Sequence, residues 1–321
     1  ATNYKTASVS IEENKDTVRV KVGAGIRKKI AAVGSQAINF LKAKFKKIYT
    51  PSADFRHAQI VAEVTVGNEL SEEEKAALKE RISYIKPRLA HFLGVSEQEI
   101  QKVPSIGIIF SGGGIRAMIS TFGWLQGAEK IGLLDTLLYM GSLSGSTWAI
   151  GSWLTYKSNA AFAQKSLNDI KEHIFEKLNR KVTNITRQEL NSMLNPLLLR
   201  LGYDQPISIV DIFGYFLANR FLADFGQNKY KQYLSDQYAL VSKGVVPFPL
   251  YTAIYGSADQ VRFPYNSLVF DLESENRPWF EFSPVEVGTT HNGGAYVPAW
   301  AFGRKFCKGR STDFALGITI D

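Results

Sequence analysis

The stretch "SIGIIFSGGGIRAM", Ser105 to Met118, sets an apolar run, three consecutive glycines and the start of a helical pattern end to end. Glycine loses more conformational freedom on folding than any other residue, so a run of three implies that the backbone itself has work to do there. A second joint of the same kind follows. "TLLYMGSL", Thr136 to Leu143, is apolar, and "GSTWAIGSWL", from Gly145, reads as a helix. Between the two joints the pattern predicts a helix over Ile115–Ile131, with Gly132 at its C′ position. Strand, helix, strand, helix with short connections is a βαβ unit, which builds a parallel sheet covered by helices on both faces.

The flanking regions differ. "NELSEEEKAALKERISYIKPRLAHFLG" opens on Ser71 with Glu74 three residues later, the pattern of a capping box. Its acidic residues come first and its basic ones later, as the helix dipole favours. Pro87 predicts a kink or a split in this helix, and Gly94 a stop. Ala160 to Leu240 reads as mostly helical, and the C-terminal part as strand- and turn-rich. With 321 residues and 45% hydrophobic content, the reading is one large α/β domain over 71–321, preceded by an N-terminal extension over 1–70.

That extension carries much of the positive charge. The chain has a formal net charge of +8, and residues 17–53 hold nine Lys or Arg and no Asp or Glu. "VRVKV" alternates like a short strand. Ile26, Ile30, Val33, Ala37, Phe40, Leu41, Phe45 and Ile48 recur at helical spacing among the lysines, which predicts a basic amphipathic helix. Two roles fit it: a helix packed on the domain surface, or one lying on an anionic membrane surface. Nucleic acid is not expected as a partner, because no base-reading motif accompanies the stripe. No apolar run is long enough for a membrane-spanning helix. Cys307 is the sole cysteine, so no intrachain disulfide can form, and a reducing, cytoplasmic setting is expected. The one glycosylation pattern, Asn-Ile-Thr from Asn184, is then a chance occurrence.

The chemistry centres on Ser144. The four histidines (His57, His91, His173, His291) lie far apart at spacings that match no metal site, so no metal or other cofactor is expected. The glycine run is neither a P-loop nor a dinucleotide fingerprint. "SLSGS" stands between an apolar strand and a helix, with only small neighbours, and this is the environment of a nucleophile elbow. It departs from G-x-S-x-G at both ends, with Ser142 and Ser146 in place of glycine. A serine in this position also serves as an ordinary helix cap. Gly113 and Gly114 are suited to present backbone N–H groups to an oxyanion. Arg116 has the planar fork that suits a phosphate, or an ordinary salt bridge.

The pair "SGGGIRAM" and "LSGSTW" resembles the catalytic module of the cytosolic (group IV) phospholipase A2 family, which is related to phospholipase B and more distantly to patatin. The similarity runs through "SEEEKAALKER", "FPLYTAIYG" and "WFEFSPVEVGT" and covers most of Ser71 to Phe306. It implies a three-layer α/β/α patatin-like core around a central, mostly parallel sheet. It implies hydrolysis of the acyl ester of a glycerophospholipid by a Ser-Asp dyad, with phospholipase A2 or lysophospholipase activity and peripheral membrane association. By position it assigns Ser144 as nucleophile, Gly113 and Gly114 as oxyanion donors and Arg116 as the phosphate ligand. The family's elbow begins with glycine, so a positive φ at Ser142 would store strain. Its aspartate stands in an Asp-x-Gly turn that neither Asp313 nor Asp321 supplies, so the dyad partner is expected beyond Asp321. No C2 domain is evident in the leading residues. Two alternatives remain: a Ser-His-Asp hydrolase built from Ser144, Asp271 and His291, and a lipid-binding protein that has lost its base.

Overall fold

The structure is a computed structural model that describes residues 10–14, 17–21, 60–179, 186, 189, 192–194, 196–197, 209–255, 278–304, 306–307 and 310–311. The chain divides into two units, one comprising Ala1–Ser52 with Leu194–Ile207 and the other the remainder. In the first unit, strands β1 (Ser10–Asn14) and β2 (Thr17–Lys21) form an antiparallel hairpin. The strand read from "VRVKV" is thus present and paired. The amphipathic pattern from Ile26 to Ile48 lies outside the described residues, as do Asn184, Asp271, Asp313 and Asp321.

The second unit is built on a seven-stranded sheet. In chain order its elements are β3 (Thr65–Val66), α1 (Glu72–Leu93), β4 (Gly107–Phe110), α2 (Gly114–Lys130), β5 (Tyr139–Leu143), α3 (Gly145–Ser158), α4 (Leu167–Leu178), α5 (Ile209–Phe221) and the single turn α6 (Tyr238–Val241). Strands β6 (Phe248–Ile254), β7 (Trp279–Phe282), β8 (Glu286–Thr289) and β9 (Ala295–Pro298) follow, and a two-stranded hairpin, β10 (Phe306–Cys307) and β11 (Arg310–Ser311), comes last. The strand order is β3-β9-β8-β7-β6-β5-β4. Among these, β4, β5 and β6 run parallel, and every other pairing is antiparallel. The α/β class stands, but the sheet is mixed rather than mostly parallel. The physical reason is connection length: helical crossovers join β4 to β5 and β5 to β6, whereas the short turns joining β7 to β8 and β8 to β9 permit only antiparallel neighbours. Thr65–Val66, assigned on sequence to the extension, forms the outermost strand against Tyr296 and Ala295.

Helix α1 begins where the sequence predicts, with half of the expected capping box: the Glu74 side chain accepts the Tyr139 hydroxyl instead of reaching back to Ser71. Ser71 caps it by accepting the Glu74 N–H at 3.3 Å, and Gly94 ends it in the left-handed region at φ 70°. Pro87 neither splits nor ends it. Pro87 and Ser83, whose carbonyl the missing N–H would have met, are both exposed, a setting in which solvent offsets the lost bond. On the opposite face Ile85 and Leu89 are buried and hold the helix through the proline. Arg81 is 1% exposed, and its guanidinium donates to the carbonyls of Leu134, Leu137 and Gly244 at 2.8–3.0 Å. This one side chain ties α1 to the segments that lead into β5 and β6. Burial lowers its pKa to about 10, so it remains a cation at neutral pH. Helices α2 and α3 pack on each other, and the core runs from Met118, Phe122 and Leu125 through Ile150 and Leu154 to Met140 and Phe248.

Candidate active site

The two glycine- and serine-rich joints meet at the carboxyl ends of β4 and β5. The register places Phe110 beside Ser142, so the loops that leave these strands emerge side by side. A Cβ built on Gly112 would lie 3.2 Å from the Cβ of Ser144, which puts the glycine run against the serine. Gly113 and Gly114 have φ 140° and 60°, conformations that L side chains rarely adopt, and Gly113 caps α2. The first N–H groups of a helix have no intrahelical acceptor and face whatever lies before it.

Ser144 has φ 55° and ψ −120°, one of two described non-glycine residues with positive φ. Such a conformation costs of order 1–3 kcal/mol and persists only where its surroundings impose it. The strain falls on Ser144 itself and not on Ser142, which is extended within β5. Gly145 explains how the turn closes: a Cβ there would stand 2.0 Å from the Gly114 carbonyl oxygen, so only glycine lets α3 start against α2. Ser144 occupies the N-cap of α3, but its side chain makes no capping bond, and its carbonyl accepts the N–H groups of Thr147 and Trp148 at 2.9 and 3.3 Å. The hydroxyl is thus not engaged as a helix cap, and the residue is exposed.

Both departures from the glycine-flanked motif have partners. The Ser146 hydroxyl is fully buried and lies 3.1 Å from the Phe110 carbonyl and 2.9 Å from the Leu143 carbonyl, while accepting the Leu143 N–H at 2.9 Å. It pins the ends of both strands to the elbow. The Ser142 hydroxyl accepts that of Thr147 at 3.2 Å, and the Ser142 carbonyl accepts that of Thr252. Sequence reasoning passed over both as merely small residues. The signal was the departure itself, a hydroxyl where none is needed for space. Arg116 is exposed, two residues into α2, and makes no ion pair among the described residues.

From Ser144 a cavity of about 150 Å³ runs along α3. Ser144, Thr147, Gly151 and Thr155 follow one another at helical spacing along one wall, and Leu234, Tyr251 and Phe282 face them. None of its lining residues carries a charge. At its inner end Tyr251 donates to the Gln237 carbonyl oxygen at 2.7 Å, and the Gln237 amide donates to Thr155 Oγ1 and the Gly151 carbonyl.

The register also bears on the Ser-His-Asp alternative. Leu143, Thr252, Glu281 and Gly288 form one row across β5 to β8. His291 follows Gly288 and so stands three strand spacings from the elbow, about 14 Å at the usual interstrand distance, beyond hydrogen-bond reach of Ser144. Among the described residues no group of His, Cys, Asp and Glu is placed to hold a metal ion, and no helix is long and apolar enough to cross a membrane.

A mixed sheet with a strained serine at a strand–helix elbow, next to a positive-φ glycine run, has the strand–turn–helix architecture of the α/β class in which nucleophile elbows occur. The sequence profile of the lysophospholipase catalytic domain matches residues 106–315. The chain is 32% identical over 251 residues to cytosolic phospholipase A2 zeta of Homo sapiens, covering 77% of the chain and 27% of that protein. It is 31% identical over 246 residues to cytosolic phospholipase A2 delta of Mus musculus, covering 75% and 27%. The solved structure of human GIVD cytosolic phospholipase A2 superposes with a TM-score of 0.63 at 30% identity, over 79% of this chain and 32% of that one. The same enzyme in complex with methyl gamma-linolenyl fluorophosphonate gives 0.62 at 29%, over 80% and 34%. This chain belongs to the lysophospholipase catalytic domain family. It spans about a quarter of the length of the curated relatives it matches.

Proposed function

We propose that this protein hydrolyses the acyl ester of glycerophospholipids, as a phospholipase A2 or lysophospholipase, with Ser144 as nucleophile. The observation that carries this reading is the elbow: a strained, exposed serine between a glycine run and the mouth of an uncharged slot. Ser144 Oγ attacks the ester carbonyl carbon, and the negative charge that develops on the carbonyl oxygen meets the N–H groups of Gly113 and Gly114. Collapse expels the glycerol-side oxygen, which leaves protonated, and water then releases the fatty acid from the acyl-serine. Arg116, exposed two residues into α2 beyond the glycine run, holds the phosphate and so positions the ester. A carboxylate takes the serine proton, as in the Ser-Asp dyad that the resemblance implies.

Cytosolic relatives and the nine basic residues of 17–53 support a cytoplasmic enzyme that binds anionic membrane surfaces peripherally, with the 1–70 extension contributing charge and 71–321 the catalytic domain. The test of the reaction is release of fatty acid from phospholipid vesicles by the full-length protein. Ser144→Ala should abolish it while leaving the melting temperature within a few degrees. Hydrolysis within twofold of the unmodified protein would contradict the assignment.

A further inference from the structure

The slot beside Ser144 runs from exposed to buried residues, and a specific hydrogen-bonded contact stands at its buried end. Exposure falls along it: Ser144 is exposed, Thr147 half-buried, and Gly151, Thr155, Gln237 and Tyr251 are buried. Gln237 crosses the end. Both of its amide donors and its carbonyl oxygen are occupied, by Gly151, Thr155 and Tyr251, so the side chain is locked in place without any ligand. Burial also pushes the Tyr251 phenol up, which keeps it protonated as the donor to Gln237.

Resting on the acyl hydrolase reading above, we infer that Gln237, held by Tyr251 and Thr155, is the floor of the acyl slot and sets the chain length over which binding energy accrues. A helix rises 1.5 Å per residue, so Gly151 and Thr155 lie about 10 and 16 Å down the axis from Ser144. Extended hydrocarbon advances about 1.25 Å per carbon, given a bond length near 1.5 Å. The floor then stands about 8 to 13 carbons from the ester. Up to that length each methylene leaves water for an uncharged wall. Beyond it, further carbons meet a hydrogen-bonded amide that gains nothing from them.

The test needs binding only, so it is independent of the catalytic base. Dissociation constants are measured for a ladder of saturated fatty acids from six to sixteen carbons, each below its micellar concentration. Affinity should rise about fourfold per added methylene, the transfer value for one buried CH₂, and level off between about 8 and 13 carbons. Gln237→Ala should move the levelling point to longer chains and leave the shortest acids unchanged. Thr147→Phe, which narrows the slot one turn below Ser144, should move it to shorter ones. Ser144→Ala should leave it where it is, since the floor acts on the chain and not on the chemistry. A gain that continues undiminished to sixteen carbons, or a levelling point that neither slot variant moves, would overturn the inference. A levelling point that moves as expected in a protein whose Ser144 proves unreactive would sink the hydrolase reading alone.

Discussion

The sheet carries two cavities of similar size, about 150 Å³ and 170 Å³, on opposite faces. Tyr251 and Phe282 line the first, while their strand neighbours Leu250 and Glu281 line the second, so the alternation of β6 and β7 divides them. The α3 face presents hydroxyls, aromatic rings and a locked amide, with a strained serine at its mouth. The α1 face collects Glu69, Glu74, Glu281 and Glu286 around Tyr139 and Tyr296. Volume therefore does not distinguish a site from a gap. Charge and strain do: fatty acyl chains suit an uncharged wall, and four glutamates repel both a phosphate and a released carboxylate. On the acidic face burial raises Glu74 and Glu286. Glu74 is raised to about 7, mainly by burial and further by Glu286 and Glu281, against the Tyr139 hydroxyl that it accepts at 3.0 Å. Burial pushes Tyr139 up as well.

The sharpest way to break the contrast is Gly145→Ala. The added methyl meets the Gly114 carbonyl, so α2 and α3 have to part and the elbow loses its geometry. Ester hydrolysis should fall by more than about a hundredfold, since an ångström of misplacement is enough for that. The α1 face should keep its own behaviour, read as an unchanged pH dependence of the melting temperature. Loss of that pH dependence together with activity would show that the two faces are not separate.

Arg116→Lys comes next, and asks whether the α2 side of the elbow selects for phosphate. A lysine offers a point charge and no bidentate fork. Hydrolysis of phospholipid should drop roughly tenfold to hundredfold, the worth of a charge-assisted bond, while a neutral ester without phosphate changes little. Equal losses on both substrates, with a lowered melting temperature, would make Arg116 a structural residue.

The smallest effect belongs to Glu74→Gln. A carboxyl whose folded pKa lies above its unfolded value binds its proton more tightly when folded, so stability is full below about 4.5 and falls as pH rises toward about 7. Glutamine keeps an acceptor for Tyr139 and removes the ionisation. The variant should melt a few degrees higher than the unmodified protein at pH 8 and nearly the same at pH 4, with unchanged hydrolysis. A lower melting temperature at pH 8 would mean that the ionised carboxylate, and not its neutral form, stabilises this face.

The two faces were unequally legible in the sequence. The elbow could be read because its chemistry is local: Gly113, Gly114, Ser144 and Gly145 each sit where a strand ends, and backbone demands of that kind leave a residue-type signature. The Ser71 cap and the stop at Gly94 were legible for the same reason. The mixed sheet was not, because the antiparallel pairings of β6 with β7 and of β3 with β9 join segments far apart along the chain, which no local pattern records. Gln237 was equally hidden: a glutamine on a short helical turn becomes a floor only once α3 and β6 are laid beside it. The acidic cavity gathers Glu74, Glu281 and Glu286 from three elements, and no spacing in the sequence joins them. Pro87 does not split the helix, because exposure, which decides whether a freed carbonyl is costly, is a property of the packed helix.

The central claim is that strain at one residue marks the nucleophile. It is tested most directly by treating the protein with an alkyl fluorophosphonate and mapping the adduct by peptide mass spectrometry. The peptide spanning Leu143 to Trp153 contains Ser144, Ser146 and Ser152, so fragmentation must resolve the site. A single adduct on Ser144 is expected in the folded protein, lost on unfolding before treatment. An adduct on Ser146 or Ser152, or on a serine elsewhere with Ser144 unmodified, would contradict it.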